Sequence, residues 1–261
     1  MNRSRIRRQD VGFSLLELLF ASAMFLVVAG TAFALLGAAQ KRYQTDSQIL
    51  TSFQEARLGL DQIVRDVNDS GYPPPNHFSV LPAANFYAAT PFAASPSSTC
   101  FIGATCASPQ DFDLIVESDI NPENNDGVEW VRYQLPVGTT ALLRGVASKT
   151  TGDPITATAG VMGPYVENVM NNAVGSQIGT IRAAYPTMFP GGVPVPIFTY
   201  TCEMPDGTAR SCPLAGASNT PPNILDVEIT LIVQATATDA QTGQPRLVEL
   251  HGRGHRINPN Q

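Results

Sequence analysis

One stretch near the N-terminus constrains this chain more than any other part of it. Residues Leu18 to Gln40 contain no Asp, Glu, Lys or Arg. As a helix, this run is long enough to cross the hydrocarbon core of a bilayer, which takes about 20 residues. Four arginines precede the run, and Lys41 and Arg42 follow it. The positive-inside rule keeps the basic flank in the cytoplasm and exports the rest, so we predict a single-pass membrane protein.

Three interpretations of this segment differ in what they make of Glu17. A cleaved secretory signal has an apolar core of about 7–15 residues, which is shorter than the run seen here. A plain signal anchor fits the length and the basic flank. It does not explain Glu17, because an acid on an apolar run is costly in lipid and usually has a partner. The plain anchor remains the alternative to the third interpretation.

The third interpretation rests on the segment Gly12-Phe13-Ser14-Leu15-Leu16-Glu17. It resembles the processing site of type IV prepilins, in which a basic leader ends in Gly and Glu stands five residues into the mature chain. The resemblance implies that a prepilin peptidase removes residues 1–12 and methylates the new amine of Phe13. It also implies that Glu17 pairs with a mature N-terminal amine during filament assembly.

Charge pairing gives Glu17 a physical role in that interpretation. A free α-amine has a pKa of about 7.7–8.0 and is mostly cationic at neutral pH. In an apolar filament core, an unpaired ammonium or carboxylate costs several kcal/mol. Pairing removes much of that cost and favours one axial register. Loss of the leader would make the mature chain three units more negative than the −6 of the whole sequence.

The helical pattern continues beyond Lys41. Ile49, Phe53, Leu60, Ile63 and Val67 form an apolar stripe in which Ala56 fills a gap, and the charged side chains from Arg57 to Asp69, including Asp66, lie mainly off it. Gly71 and the prolines at 73–75 predict that the helix ends near Ser70. We therefore divide the helix into a membrane or filament-core part, 13–40, and an amphipathic part, 41–70.

The remainder, 71–261, reads as one β-rich head domain. Residues 73–110 are rich in Pro, Ala, Ser and Asn and predict a long surface loop. The clearest strand is Leu225 to Val233, where apolar residues alternate with period two. Other strands are predicted at 112–117, 128–135, 141–146, 197–202 and 246–250, and a short helix at 165–174. We expect an α+β fold in which an antiparallel sheet packs on the amphipathic half of the long helix.

Several short segments narrow the resemblance. Ile63-Val64-Arg65-Asp66-Val67 with Gly71-Tyr72, Trp130-Val131-Arg132-Tyr133, Leu142-Leu143-Arg144 and Val227 to Leu231 resemble the minor-pilin families called PilW and PulJ/GspJ. The resemblance implies a structural subunit of a type IV pilus that helps to start filament assembly. Its partners would be other pilins, the prepilin peptidase and the inner membrane. A minor pseudopilin of a type II secretion system and a signal-anchored adhesion module are the alternatives.

The four cysteines form two close pairs, Cys100 with Cys106 and Cys202 with Cys212. Three connectivities are possible, and the short spacings favour two local disulfides. Disulfides indicate a compartment outside the cytoplasm, although free buried thiols remain the alternative.

Other candidate sites are weaker. Asp119, Asn121, Glu123, Asn125 and Asp126 form an oxygen-rich loop in which calcium is a candidate, but the spacing is not that of an EF-hand and such residues are common in turns. His251 and His255 have a spacing suited to a metal on a helix, but their glycine neighbours favour an exposed tail.

No catalytic motif is found, so we expect a non-enzyme without a cofactor. The net charge of −6 argues against nucleic acid as a partner.

Overall fold

The computed structural model describes residues 14–96, 98–124, 126–212, 219–238 and 243–258. The chain divides into two units, Met1–Ser47 and Gln48–Gln261. Helix α1 spans Leu15–Asn68 and therefore contributes residues to both units.

Helix α1 ends close to the residue at which its glycine and proline signals predicted an end. The helix stops at Asn68, and the hydroxyl of Ser70 donates to the carbonyl of Val67 at 2.7 Å. Gly71 has a φ of +81°, a conformation that side chains disfavour, and its N–H donates to the carbonyl of Glu117 at 2.7 Å. This left-handed turn sends the chain onto the head, as the glycine at that position predicted.

In its described residues, the head contains two four-stranded antiparallel sheets and two short α-helices. The first sheet has the order β1-β2-β3-β4 and the second the order β6-β5-β7-β8. The elements are β1 Asp113–Ser118, β2 Glu129–Gln134, β3 Leu142–Ser148, α2 Pro154–Ala159, β4 Gly163–Val166, α3 Ser176–Ala184, β5 Phe198–Glu203, β6 Ala209–Ser211, β7 Ile224–Thr238 and β8 Pro245–His255. The predicted α+β class, with a helix packed on antiparallel sheet, is confirmed.

One core joins the helix to both sheets. The stripe residues Ala56, Leu60, Ile63 and Val67 are buried in a cluster that includes Val131 of β2 and Val227 of β7 among its members. The alternation predicted for β7 is found in part. Val227, Ile229, Leu231 and Val233 are buried as predicted, but Leu225 is only half-buried, and Asp226 and Ile232 of the opposite face are buried too. Burial of these apolar side chains is the main force that holds the amphipathic part of α1 on the head.

Two glycines of β8 set how closely the helix approaches. A Cβ on Gly252 would lie 2.8 Å from Cγ2 of Val64, and one on Gly254 would lie 2.6 Å from Cβ of Val67. A side chain at either position would have to displace these valine side chains or the helix that carries them. The backbone of β8 therefore packs directly against α1.

The predictions for residues 165–174 and 73–110 are wrong. Residues 165–174 do not form a helix, because Tyr165 and Val166 end strand β4 and Val169 pairs with Val233 of β7. The segment 73–110 is not simply a surface loop, since Phe92 is fully buried and pairs with Val116. In the residues of this segment that the structure describes, the only helical elements are two short 3-10 turns, at Pro75–His77 and Ala84–Phe86, in keeping with its composition. Non-local packing, rather than local pattern, orders both segments.

Candidate functional site

The N-terminal part of α1 presents a continuous apolar surface. Its most apolar window contains no residue that the rest of the chain buries, and this helix alone among the described elements is long and apolar enough to cross a membrane. The exposed large side chains in this part are Leu15, Leu16, Leu18, Leu19, Phe20, Met24, Phe25, Leu26, Val27, Val28, Phe33, Leu35 and Leu36. Water solvates such a surface poorly. Such a helix suggests that this part of the chain anchors the protein in a membrane.

Glu17 lies in the first turn of this helix. The hydroxyl of Ser14 accepts a 3.2 Å hydrogen bond from the backbone N–H of Glu17. Ser14 therefore occupies the N-cap position, and the sequence Ser14-Leu15-Leu16-Glu17 has the spacing of a capping box. The described residues form no ion pair with the Glu17 carboxylate, so its charge is available to a partner from outside this part of the chain. Gly12 and Phe13, the predicted processing site, lie outside the described residues.

The second candidate site is a buried polar cluster where α1 meets the first sheet. Asp66 is only 4% exposed, which corrects its predicted place off the buried stripe. Its Oδ2 accepts hydrogen bonds from the hydroxyl of Tyr133 at 2.6 Å and from Nη2 of Arg144 at 3.0 Å. Its Oδ1 accepts from the side-chain amide of Gln62 at 2.6 Å. The carboxylate is therefore fully engaged, as a buried charge must be.

Arg144 completes the cluster. Its Nε donates to the hydroxyl of Tyr133 at 2.9 Å, and its guanidinium lies 5.7 Å from the ring centre of Tyr133 and 5.8 Å from that of Tyr165. Burial, followed by the Asp66 charge, raises the pKa of Tyr133 far above its ordinary value, so the phenol stays protonated as a donor. These hydrogen bonds tie the last turns of α1 to strands β2 and β3.

Three of the segments that resemble minor pilins each supply one member of this cluster, namely Asp66, Tyr133 and Arg144. The structure brings them into one hydrogen-bonded group although 67 residues separate Asp66 from Tyr133. The sequence carried one usable signal, since Asp66 stands between Ile63 and Val67 of the buried stripe. A carboxylate flanked in this way predicts a buried cationic or hydroxyl partner.

Two further ion pairs stiffen the first sheet. Nη2 of Arg132 lies 2.6 Å from Oδ2 of Asp113, and both side chains are buried. Lys149 pairs with the buried Glu117, whose Oε1 also accepts from the N–H of Ala89 at 3.0 Å. Burial raises the pKa of both carboxyl groups, and their cationic partners oppose that effect. These pairs are enclosed by protein and offer no open coordination position.

In the predicted calcium loop, polar groups form hydrogen bonds with one another. When the side-chain amide of Asn121 is oriented with its nitrogen towards the neighbouring carboxylates, it donates to Oε1 of Glu129 at 2.8 Å and to Oδ1 of Asp126 at 3.2 Å. Oδ1 of Asp119 accepts from the backbone N–H of Asn121. Glu123 is exposed, and Asn125 lies outside the described residues. No three His, Cys, Asp or Glu side chains in the described ranges are grouped as metal ligands. Calcium at this loop stays a prediction.

Both predicted disulfides are present, Cys100–Cys106 and Cys202–Cys212. The first closes a loop of the segment that covers β1, and the second joins β5 to the residue that follows β6. All four cysteines are buried. Their role is structural.

The predicted C-terminal tail is instead the long edge strand β8. His255 is its last residue, and Nδ1 of its ring lies 2.8 Å from Oδ1 of the buried Asp226. Nη2 of Arg253 lies 2.8 Å from the other oxygen of that carboxylate. Although burial raises it, hydrogen bonds from Arg253 and His255 bring the pKa of Asp226 below its ordinary value. The two partners therefore favour the ionised carboxylate of Asp226.

A comparison of the chain with protein-family models, curated proteins and solved structures finds no match.

Proposed function

We propose that this chain is a minor pilin-like structural subunit of a type IV pilus, matured by a prepilin peptidase and assembled through its N-terminal helix. The observation that carries the proposal is the single helix α1, which is apolar and uncovered in its first part and buried against the head in its last part. A globular protein in water does not normally expose one half of a long apolar helix while it buries the other half. A filament subunit needs one part of the helix for its neighbours and the other to hold its own head.

The residues at the start of α1 support the maturation step. Glu17 lies in the first helical turn, and Ser14 caps that turn. A cleavage after Gly12 would leave a new amine one residue before Ser14. In an apolar bundle, that amine would favour a nearby carboxylate from a neighbouring subunit. The head would then lie outside the cytoplasm, where its two disulfides are stable.

The experiment that tests the proposal is intact-mass and N-terminal peptide analysis of the protein purified from its native membrane. The expected product begins at N-methylated Phe13. A chain that begins at Met1 would overturn processing and leave a signal-anchored protein. A chain cut after the apolar run would identify a secretory signal instead.

A minor pseudopilin of a type II secretion system uses the same helix and the same maturation chemistry, so it is the alternative within this class. The two are separated by deleting the gene and measuring pilus assembly and protein secretion in parallel. Loss of pili with normal secretion supports the pilus subunit. The reverse result supports the pseudopilin.

A further inference from the structure

A groove lies in the head where α1 ends. Its larger part is a cavity of about 470 Å³. A second cavity of about 280 Å³ shares Tyr72, Asp119 and Pro122 with the first, so the two are neighbours, and we call them together the groove. Three residues of its lining already take part in the hydrogen bonds described above. Asp66 accepts from three donors, one of which is Gln62, and Asp119 accepts from the N–H of Asn121.

The groove has two chemically different halves. Asp69 and Asp119 line the first half, together with the amide side chains of Asn68 and Asn258. Aromatic and proline side chains line the second half, namely Tyr72, Pro73, His77, Phe78, Pro82 and Phe86. Apolar side chains also stand exposed at the rim, with Tyr72 39%, Ile120 40% and Ile257 69% exposed. Such a surface favours an occupant that is itself partly apolar.

The charge of the first half is negative. Described residues form no ion pair with the carboxylate of Asp69 or of Asp119, although Arg65 lies near enough to Asp69 to oppose part of its charge. The C-terminal end of α1 adds the negative end of the helix dipole at the same place. Burial, and then the neighbouring Asp66 charge, raises the pKa of Asp69, and burial raises that of Asp119. Asp69 and Asp119 line the same cavity, and a cation bound beside them would relieve this unfavourable field.

We propose that the groove binds a segment of another protein in which an arginine or lysine side chain stands beside an apolar residue. The cation lies beside Asp69 and Asp119, and the apolar side chain packs against Tyr72 and Phe78. Charge complementarity selects the basic residue, and the aromatic half selects a peptide over a free amine. The proposal does not depend on filament assembly, since any exported partner with this pattern would fit.

The test uses the full-length protein in detergent micelles and two synthetic peptides, acetyl-Leu-Arg-Leu-amide and its citrulline counterpart. Citrulline has the shape of arginine without the charge. Saturation-transfer NMR gives the dissociation constants. We expect the arginine peptide to bind at least fivefold more tightly, and the double substitution Asp69→Asn with Asp119→Asn to remove that preference. Asn keeps the hydrogen bond from the Asn121 N–H to residue 119, so the loop is retained.

Asp61→Asn is the matched control, because Asp61 is an exposed acid of α1 that does not line the groove. It should leave both dissociation constants unchanged, and thermal unfolding of each variant verifies the fold. Equal binding of the two peptides, no binding of either, or an arginine preference that survives the double substitution would each overturn the proposal. Binding of methylguanidinium as tight as that of the arginine peptide would overturn the peptide as occupant.

Discussion

The hydroxyl of Tyr133 donates a 2.6 Å hydrogen bond to Oδ2 of Asp66, and this bond joins the middle of the first sheet to the last turns of α1. Both residues are buried. A hydrogen bond to a buried charge contributes more than one between neutral groups, at about 1.5–3 kcal/mol. The stability of the helix–head junction should therefore depend on this one phenol.

We expect Tyr133→Phe to lower the free energy of unfolding of the head by about 1.5–3 kcal/mol, because Asp66 loses one donor and keeps its charge. Urea unfolding of the full chain in detergent, followed by fluorescence, measures the change. Trp130 is the single tryptophan of the sequence and is 4% exposed, so its emission reports on the core. Tyr165→Phe is the control, since the ring of Tyr165 packs near Arg144 but its hydroxyl has no hydrogen bond to a described residue. Equal losses for the two variants would contradict this account.

The glycine contacts of β8 give a second prediction. Gly254→Ala should destabilise the head by about 1–3 kcal/mol, because the new methyl group would lie 2.6 Å from Cβ of Val67. Gly179→Ala should be neutral or stabilising by up to about 1 kcal/mol, since Gly179 lies within α3 and a Cβ there meets nothing within 4 Å. The same urea experiment separates the two. A stable Gly254→Ala protein would mean that the strand and the helix can move apart without cost.

The depressed pKa of Asp226 predicts a stability difference that depends on pH. An acid with a lowered pKa contributes its stability above its unfolded value, about 3.9, and loses it as the pH falls through the folded value. Asp226→Asn should therefore cost about 1–2 kcal/mol at pH 7, a modest value because Arg253 and His255 are largely exposed. The cost should shrink below about pH 4. Denaturation curves of both proteins between pH 3 and 7 test this, and a cost that stays constant over that range would contradict it.

Glu17 can be tested for two roles separately. Gln can also serve in a capping box, so Glu17→Gln removes the charge and keeps the helix start. We expect this variant to reach the membrane at normal levels and to be at least tenfold depleted from sheared filaments. Ser14→Ala removes the hydroxyl that caps the helix and keeps the charge, and it should be depleted far less. Immunoblots of the membrane and filament fractions give both numbers. Normal incorporation of Glu17→Gln would show that assembly does not use the charge.

The sequence predicted the parts of the fold that depend on local pattern. Helix α1 and strand β7 carry long, regular periodicities, and their observed bounds differ from the predicted ones by five residues at most. The segment 165–174 was misread because its structure comes from pairing with β3 and with Val233. Likewise, the burial of Phe92 depends on Val116, which a local pattern does not reveal.

The candidate sites divide in the same way. The apolar run and the Glu17 position are local features and were predicted from residues close together in the chain. The cluster around Asp66 was not, because its partner Arg144 is 78 residues away. The groove could be predicted even less well from the sequence. Asp69, Asp119 and Phe78 are far apart in the chain and line neighbouring cavities only in the folded head.

The bare backbone of Gly252 and Gly254 has a mechanical consequence. Val64 and Val67 meet peptide groups there rather than flexible side chains, and peptide groups cannot rotate aside. A force directed along α1 would have to push these two valines past the backbone of β8, while the hydrogen bonds of Asp66 oppose rotation of the helix about its axis. The last turns of α1 should therefore not slide along β8 under tension, and they should pass the force on to the head.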